Sequence, residues 1–207
     1  MKTRRTGIIT LSIVLGIFQT ASAKTLIGEN YTAVTYSHID FGDGPKGFLD
    51  NGHGGSVTLN LNDDSESDFQ FGVDYTNADG MRLNQDVEIS TFGFRADFVQ
   101  RLNDSEKVKP YFNIGLRVLD IDVTGPANEA DDTDVGLGIG LGIEFELTPF
   151  LSARFSANHD NVGSDSNFFA AQLGWWITEH LVGTVSYARE TDADANIITA
   201  GGAILFK

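Results

Sequence analysis

Between residues 134 and 147 the chain reads DVGLGIGLGIEFEL. Val135, Leu137, Ile139, Leu141, Ile143, Phe145 and Leu147 occupy one parity, and four glycines followed by Glu144 and Glu146 occupy the other. Strict alternation is the signature of a β-strand, whose successive side chains point to opposite faces. A helix is excluded, because each interior glycine costs it about 1 kcal/mol. One face of this strand is therefore continuously apolar, and the other is almost bare.

The same period of two recurs along the chain. Apolar parities run Val57, Leu59, Leu61; Phe69, Phe71, Val73, Tyr75; Phe92, Phe94, Ala96, Phe98; and Phe112, Ile114, Leu116, Val118. They continue through Leu151, Ala153, Phe155, Ala157; Phe169, Ala171, Leu173, Trp175, Ile177; and Ile198, Ala200, Gly202, Ile204, Phe206. Ten strands are expected, near 31–41, 55–62, 68–77, 86–101, 110–124, 134–147, 151–160, 168–177, 181–190 and 197–206. The phase of the first is ambiguous. Polar, glycine- and aspartate-rich connections such as GDGPKGFLDNGHGG and GPANEADDTD follow the odd strands, whereas TPF and TEH follow even ones. Long connections at one end and short turns at the other, with an even strand number, are the pattern of a transmembrane barrel. The expected fold is an all-β, antiparallel up-and-down transmembrane β-barrel of ten strands, with eight as the alternative.

In a soluble barrel the apolar parity would fill the interior; in a membrane barrel it faces lipid. The polar parity decides. It carries Arg95, Asp97, Arg117, Glu144, Glu146 and Arg154, both signs of charge on neighbouring strands, with the glycines of 136–142 leaving room for Arg117 and Arg154. A lumen charge network of Arg95, Arg117, Glu144, Glu146 and Arg154 is expected, with an arginine paired to Glu144 or Glu146. Phe150, Trp175, Trp176 and Phe206 fall near the short turns or the chain end, where an aromatic girdle would sit; Tyr36 and Tyr75 are candidates for the opposite rim.

Composition adds the compartment. The first 23 residues place Lys2, Arg4 and Arg5 before an apolar run from Ile8 to Phe18 and end in Ala-Ser-Ala, a secretory signal with cleavage expected after Ala23. Residues 24–207 would then form one barrel domain. Removing three of the 14 basic residues against 29 acidic ones moves the net charge from −15 to −18, which disfavours nucleic acid as a partner. With no cysteine, the exported domain relies on its sheet rather than on disulfides.

With these features the chain resembles the small outer-membrane β-barrel proteins, the OmpA-like and OmpX-like, porin-type superfamily of Gram-negative bacteria. The closing strand NIITAGGAILFK is the most specific element, although Phe206 is penultimate rather than terminal. The resemblance implies a cell outer membrane location, insertion by the barrel-assembly machinery, contact with outer-membrane lipids and lipopolysaccharide, no cofactor, and a monomer.

Candidate chemistry is sparse. Some relatives of such barrels are lipid A deacylases with a histidine two residues before a serine; here His159 is followed at that spacing by Asn161, with Ser164 and Ser166 beyond. His38 and His53 flank the first long connection near Asp40 and Asp43, a donor set that suits zinc or copper, yet the spacing matches no known motif. The acidic stretches NEADDTD and TDADAN lack a calcium-loop pattern and are expected to be solvated loops. No catalytic, metal or cofactor site is expected. The expected function is structural or interactive, with at most a narrow pore; the alternatives are a lipid A-directed hydrolase and a soluble periplasmic binding protein.

Overall fold

The computed structural model describes residues 25–42, 49–63, 66–82, 85–103, 105, 107–125, 128–192 and 194–207. The expected signal segment lies outside them, as does Asp43. Ten strands run β1 (Tyr31–Phe41), β2 (Leu49–Asn62), β3 (Ser67–Arg82), β4 (Gln85–Arg101) and β5 (Val108–Gly125). They continue as β6 (Asn128–Thr148), β7 (Leu151–Val162), β8 (Ser164–Thr178), β9 (Leu181–Glu190) and β10 (Ala195–Leu205). Each pairs antiparallel with its sequence neighbour, and β1 closes on β10, so the sheet is a barrel without an edge. Closure satisfies the backbone groups that lipid cannot.

Parity sorts the side chains as the sequence pattern predicts. Val34 and Tyr36 of β1, each 59% exposed, settle the ambiguous phase and lie on the outer surface, where Phe71, Phe94, Ile114 and Leu141 are also exposed. Asp97, Asn113, Glu144 and Ser152 on the other parity are buried. This is the membrane sense, apolar outside and polar inside. On β6 the apolar row runs from Val135 to Leu147, twelve strand steps, or about 30 Å along an axis tilted by roughly 40°. That span matches a hydrocarbon core.

At the end of the odd-numbered hairpins the outward rows turn polar: His38 on β1, His53 on β2, Asn77 on β3, Asp120 on β5, His159 on β7 and Arg189 on β9. Tyr36, Tyr75 and Tyr187 lie just below or within one step of this border. The Tyr75 hydroxyl lies 3.3 Å from Ser90 Oγ and that of Tyr187 donates to Asn196 Oδ1 at 2.7 Å, so both phenols turn towards the polar side. Amphipathic rings at a water boundary behave this way.

The connections depart from expectation. Much of what reads as long outer loop is paired strand: residues 119–125 of β5 pair with 128–134 of β6, and 77–82 of β3 with 85–90 of β4. β6 meets β7 only from Gly138 onward, so the β5–β6 hairpin projects past β7, while β5 stays paired with β4 out to Thr124 and the β3–β4 and β5–β6 hairpins form one four-stranded ribbon. Asp and Asn at these positions signal turns locally, but a hairpin already in register extends its ladder through them because each step pairs two more backbone groups. The acidic stretch 128–134 is thus ladder, and the expectation of a solvated loop fails there. Thr133 donates to Asp120 Oδ1 at 2.9 Å within the hairpin, and the Gly163 amide donates to Asp134 Oδ2 at 2.6 Å, tying the ribbon to the β7–β8 turn.

Candidate functional site

The chemistry of the chain is gathered in its lumen. A cavity of about 870 Å³ extends from Leu26 and Ile27 at the end of the short turns to Gly163 and Glu190 at the opposite end. Its wall is dominated by hydroxyl and amide side chains with charged groups set among them.

Midway, Arg117 on β5 bridges two carboxylates, Asp97 on β4 at 2.8 Å and Asp160 on β7 at 3.1 Å. The guanidinium crosses β6 to reach Asp160, and Gly138 is the residue it crosses. A Cβ there would overlap Arg117 Nη2 and Asp160 Oδ1. At Gly140 it would overlap Asn158 Oδ1 and approach Asn113 Oδ1 to 2.5 Å. The glycine row therefore makes room for Arg117, and at Gly142 the nearest side chain is the Tyr111 ring. Gly138→Val is expected to leave Arg117 unable to span both carboxylates and to destabilise the barrel by about 1–3 kcal/mol, the usual range for overpacking. A guanidinium-induced unfolding midpoint in detergent measures it.

The arginine that pairs with Glu144 is Arg154, and Arg117 lies too far along the barrel to do so. The β5–β6 register sets Arg117 opposite Gly136, eight residues along β6 from Glu144, which is about 26 Å of strand. Arg154 instead stands directly opposite Glu144 in the β6–β7 register and donates to Oε2 at 2.9 Å. Arg95 donates to Thr58 Oγ1 at 2.8 Å. Glu146 keeps one buried oxygen, Oε2, without a hydrogen-bond partner among the described residues.

The centre of this region is a segment outside every strand. Residues Thr25–Asn30 enter the mouth at the short-turn end, and Thr25, Leu26 and Ile27 are 1%, 4% and 1% exposed. Glu144, itself 1% exposed, accepts the Leu26 amide at Oε1 (2.9 Å) and the Ile27 amide at Oε2 (3.0 Å), the oxygen it also gives Arg154. Asp68 Oδ2 on β3 accepts the Gly28 amide at 2.9 Å. Lys109 Nζ on β5 donates to Ile27 O at 2.8 Å, and Asn60 Nδ2 on β2 to Glu29 O at 2.7 Å. Asn62 donates from its side chain to Gly28 O, and its amide bonds Asn30 Oδ1 at 2.8 Å. Buried main-chain groups need such partners, and here the wall supplies them one by one.

The turn depends on Gly28, whose φ is +88° and whose missing Cβ leaves room for the Arg101 guanidinium. The two apolar side chains part company. Leu26 packs with Tyr31, Trp176, Val182, Ala203 and Leu205, and Ile27 with Val99 and Tyr111, so the segment forms a dry floor under the lumen.

That floor corrects the girdle. Phe150, Trp175 and Phe206 are exposed at 39–41% as a lipid-facing belt requires, but Trp176 is 4% exposed and faces inward against Leu26. Adjacent strand residues cannot share a face. His38 and His53 are direct cross-strand partners on the outer surface, while the described residues contain no group of three or more metal-ligating side chains. His159 Nδ1 lies 3.1 Å from Asn167 Oδ1, and the Ser166 hydroxyl donates to Glu190 at 3.0 Å on the other face of the sheet. Histidine and that serine are thus separated by the sheet itself.

Pattern reading found the lumen charges because they share one parity with the glycines. It missed the segment 25–30 because nothing local marks it: its partners Asp68 and Glu144 are 40 and about 117 residues away.

A closed, inside-polar barrel with this outer surface agrees with sequence comparison. The family model described as outer membrane protein beta-barrel domain matches residues 9–201. The chain belongs to that family. No curated protein sequence matches it. Among solved structures, this outer-membrane barrel is similar to the transport unit of the autotransporter AIDA-I from Escherichia coli, at 10% identity and TM-score 0.51, covering 86% of this chain and 90% of that one. It is similar to Neisserial surface protein A at 16% identity and TM-score 0.44 (86% and 97% covered). Ail, the attachment invasion locus protein of Yersinia pestis, matches at 13% identity and TM-score 0.42 (86% and 97%). Identities this low speak to the fold alone. As a family member the barrel resides in the cell outer membrane, so the short-turn end with its plugged mouth is the periplasmic one and the ribbon projects outward.

Proposed function

We propose that this protein is a non-enzymatic structural and interaction barrel of the outer membrane, whose lumen is a narrow pore held shut at the periplasmic mouth. The observation that carries the reading is the cavity itself, which extends from Gly163 and Glu190 down to a floor made by the chain's own Thr25–Asn30. Spread over the ten strand steps from Tyr111 to Ile121, about 25 Å of axis, 870 Å³ corresponds to a mean cross-section of about 35 Å². That admits water and small polar solutes and refuses the solutes of a large porin. The lipid-facing belt is suited to outer-membrane lipids and the projecting polar hairpins to lipopolysaccharide headgroups, and we assign insertion to the barrel-assembly machinery.

Two measurements test this. Unboiled protein in detergent is expected to migrate faster on a gel than boiled protein, and a water-soluble, unshifted species would remove the membrane reading. In planar bilayers the intact protein is expected to stay below the conductance of a large porin by at least an order of magnitude, with rare openings. Steady large-porin current would refute the closed mouth. Lipid A mass spectra from cells overproducing the protein are expected to be unchanged; lost acyl chains would establish the hydrolase alternative.

A further inference from the structure

The contacts that hold Thr25–Asn30 are unusual in kind. They read main chain. Two carboxylates take three successive amides, a lysine and two asparagines take three carbonyls, and none of these bonds involves a covalent or sheet continuation of the segment. Among the described residues its backbone joins the strand ladder at the far end, where Phe206 donates to Asn30 O at 3.0 Å. Side chains enter at two apolar sockets, and the third position must be glycine, because its φ is +88° and Arg101 and Lys109 occupy the space of a Cβ. A wall of this design is a receptor for a short unstructured peptide with the pattern apolar-apolar-glycine.

We infer that the periplasmic mouth is a peptide-binding seat, occupied by the chain's own Thr25–Asn30 as an exchangeable ligand, and that vacating it opens the lumen. The seat is built from five strands: Asn60 on β2, Asp68 on β3, Lys109 on β5, Glu144 on β6 and Arg154 on β7. These side chains hold their places through barrel register and persist when the ligand leaves. Every contact is non-covalent, so release is reversible, and a peptide of the same sequence supplied from the periplasmic side competes for the same groups. The opening of the lumen, though not the seat itself, rests on the pore reading above.

The chain has no cysteine, which makes a direct test clean. In full-length Ile27→Cys/Val99→Cys protein, oxidation is expected to crosslink the segment to β4 while heat-modifiable migration is retained, and to abolish the rare openings until reductant is added. Full-length Leu26→Asp/Ile27→Asp protein, with charges placed in both sockets, is expected to vacate the seat, to conduct steadily, and to bind a fluorophore-labelled TLIGENY peptide at least tenfold more tightly than wild type, whose tethered segment competes. Adding Glu144→Ala to that variant is expected to weaken peptide binding at least tenfold, read by fluorescence anisotropy. The unlabelled peptide is expected to block the current from the periplasmic side, with a scrambled sequence inert. Absence of peptide binding by the folded double-aspartate variant, or absence of the crosslink in folded protein, would overturn the seat. Peptide binding without conductance would leave the seat standing and overturn the pore.

Discussion

Replacing Glu144 by alanine is expected to lower the stability of the barrel by about 3–5 kcal/mol, the cost of stranding a charge inside when its partner is removed. The carboxylate is 1% exposed and serves three donors at once, the Leu26 and Ile27 amides and the Arg154 guanidinium. Its loss leaves a buried cation and two buried amides without their acceptor, and no shorter side chain at this position restores it. Denaturant titration in detergent micelles, read by gel mobility, gives the shift in midpoint. Arg154→Ala combined with Glu144→Ala is expected to cost less than the two single changes added together, because the pair is coupled. Tryptophan fluorescence adds a local readout: Trp176 packs on Leu26, so the variant's emission is expected to move to the red before the barrel itself unfolds. An unchanged midpoint would mean that Glu144 is not the anchor described.

Leu141→Arg is expected to have a comparable effect for an unrelated reason. Leu141 sits at the middle of the outward row from Val135 to Leu147 and is 66% exposed, which in water would make it one of the most forgiving positions in the chain. Facing hydrocarbon, an arginine at mid-depth costs about 2–4 kcal/mol. The same substitution at Val135, near the outer rim, is expected to cost about 0–1 kcal/mol. Reversible unfolding in lipid vesicles separates the two, and equal, small effects at both sites would place this face in water.

The sequence made the barrel legible because two periodicities reinforced each other. Period-two alternation over ten segments located every strand, and the glycines opposite Leu137–Ile143 marked which face needed room. Strand ends were less legible. The run 128–134 is rich in Asp and Asn, residues that favour turns, yet it pairs through to Gly125, because register propagates along a hairpin regardless of composition. Trp176 shows the limit of reading by proximity: it is near a turn, as a girdle residue should be, but alternation puts it inside, and parity decides. Ion pairs followed register in the same way. Glu144 with Arg154 is a direct cross-strand pair, whereas the partners of Arg117 lie on β4 and β7 and become visible only once β6 is known to be thin between them. The plug was invisible for a deeper reason. TLIGEN has no period, no charge pattern and no motif, and its meaning resides in side chains dispersed from Asn60 to Arg154.

That dispersal dictates an order of events. Asn60, Asp68, Lys109, Glu144 and Arg154 come together only when β2 through β7 have found their register, and the amide of Phe206, at the far end of the chain, adds the last bond to Asn30. Residues 25–30 are accordingly among the last to acquire a home. Until those strands are in register, residues 25–30 have no seat and stay open to proteases and chaperones. A seated segment is thus a molecular receipt for assembly, and a limited-proteolysis time course during refolding is expected to show it being issued after, never before, β2 through β7 have paired.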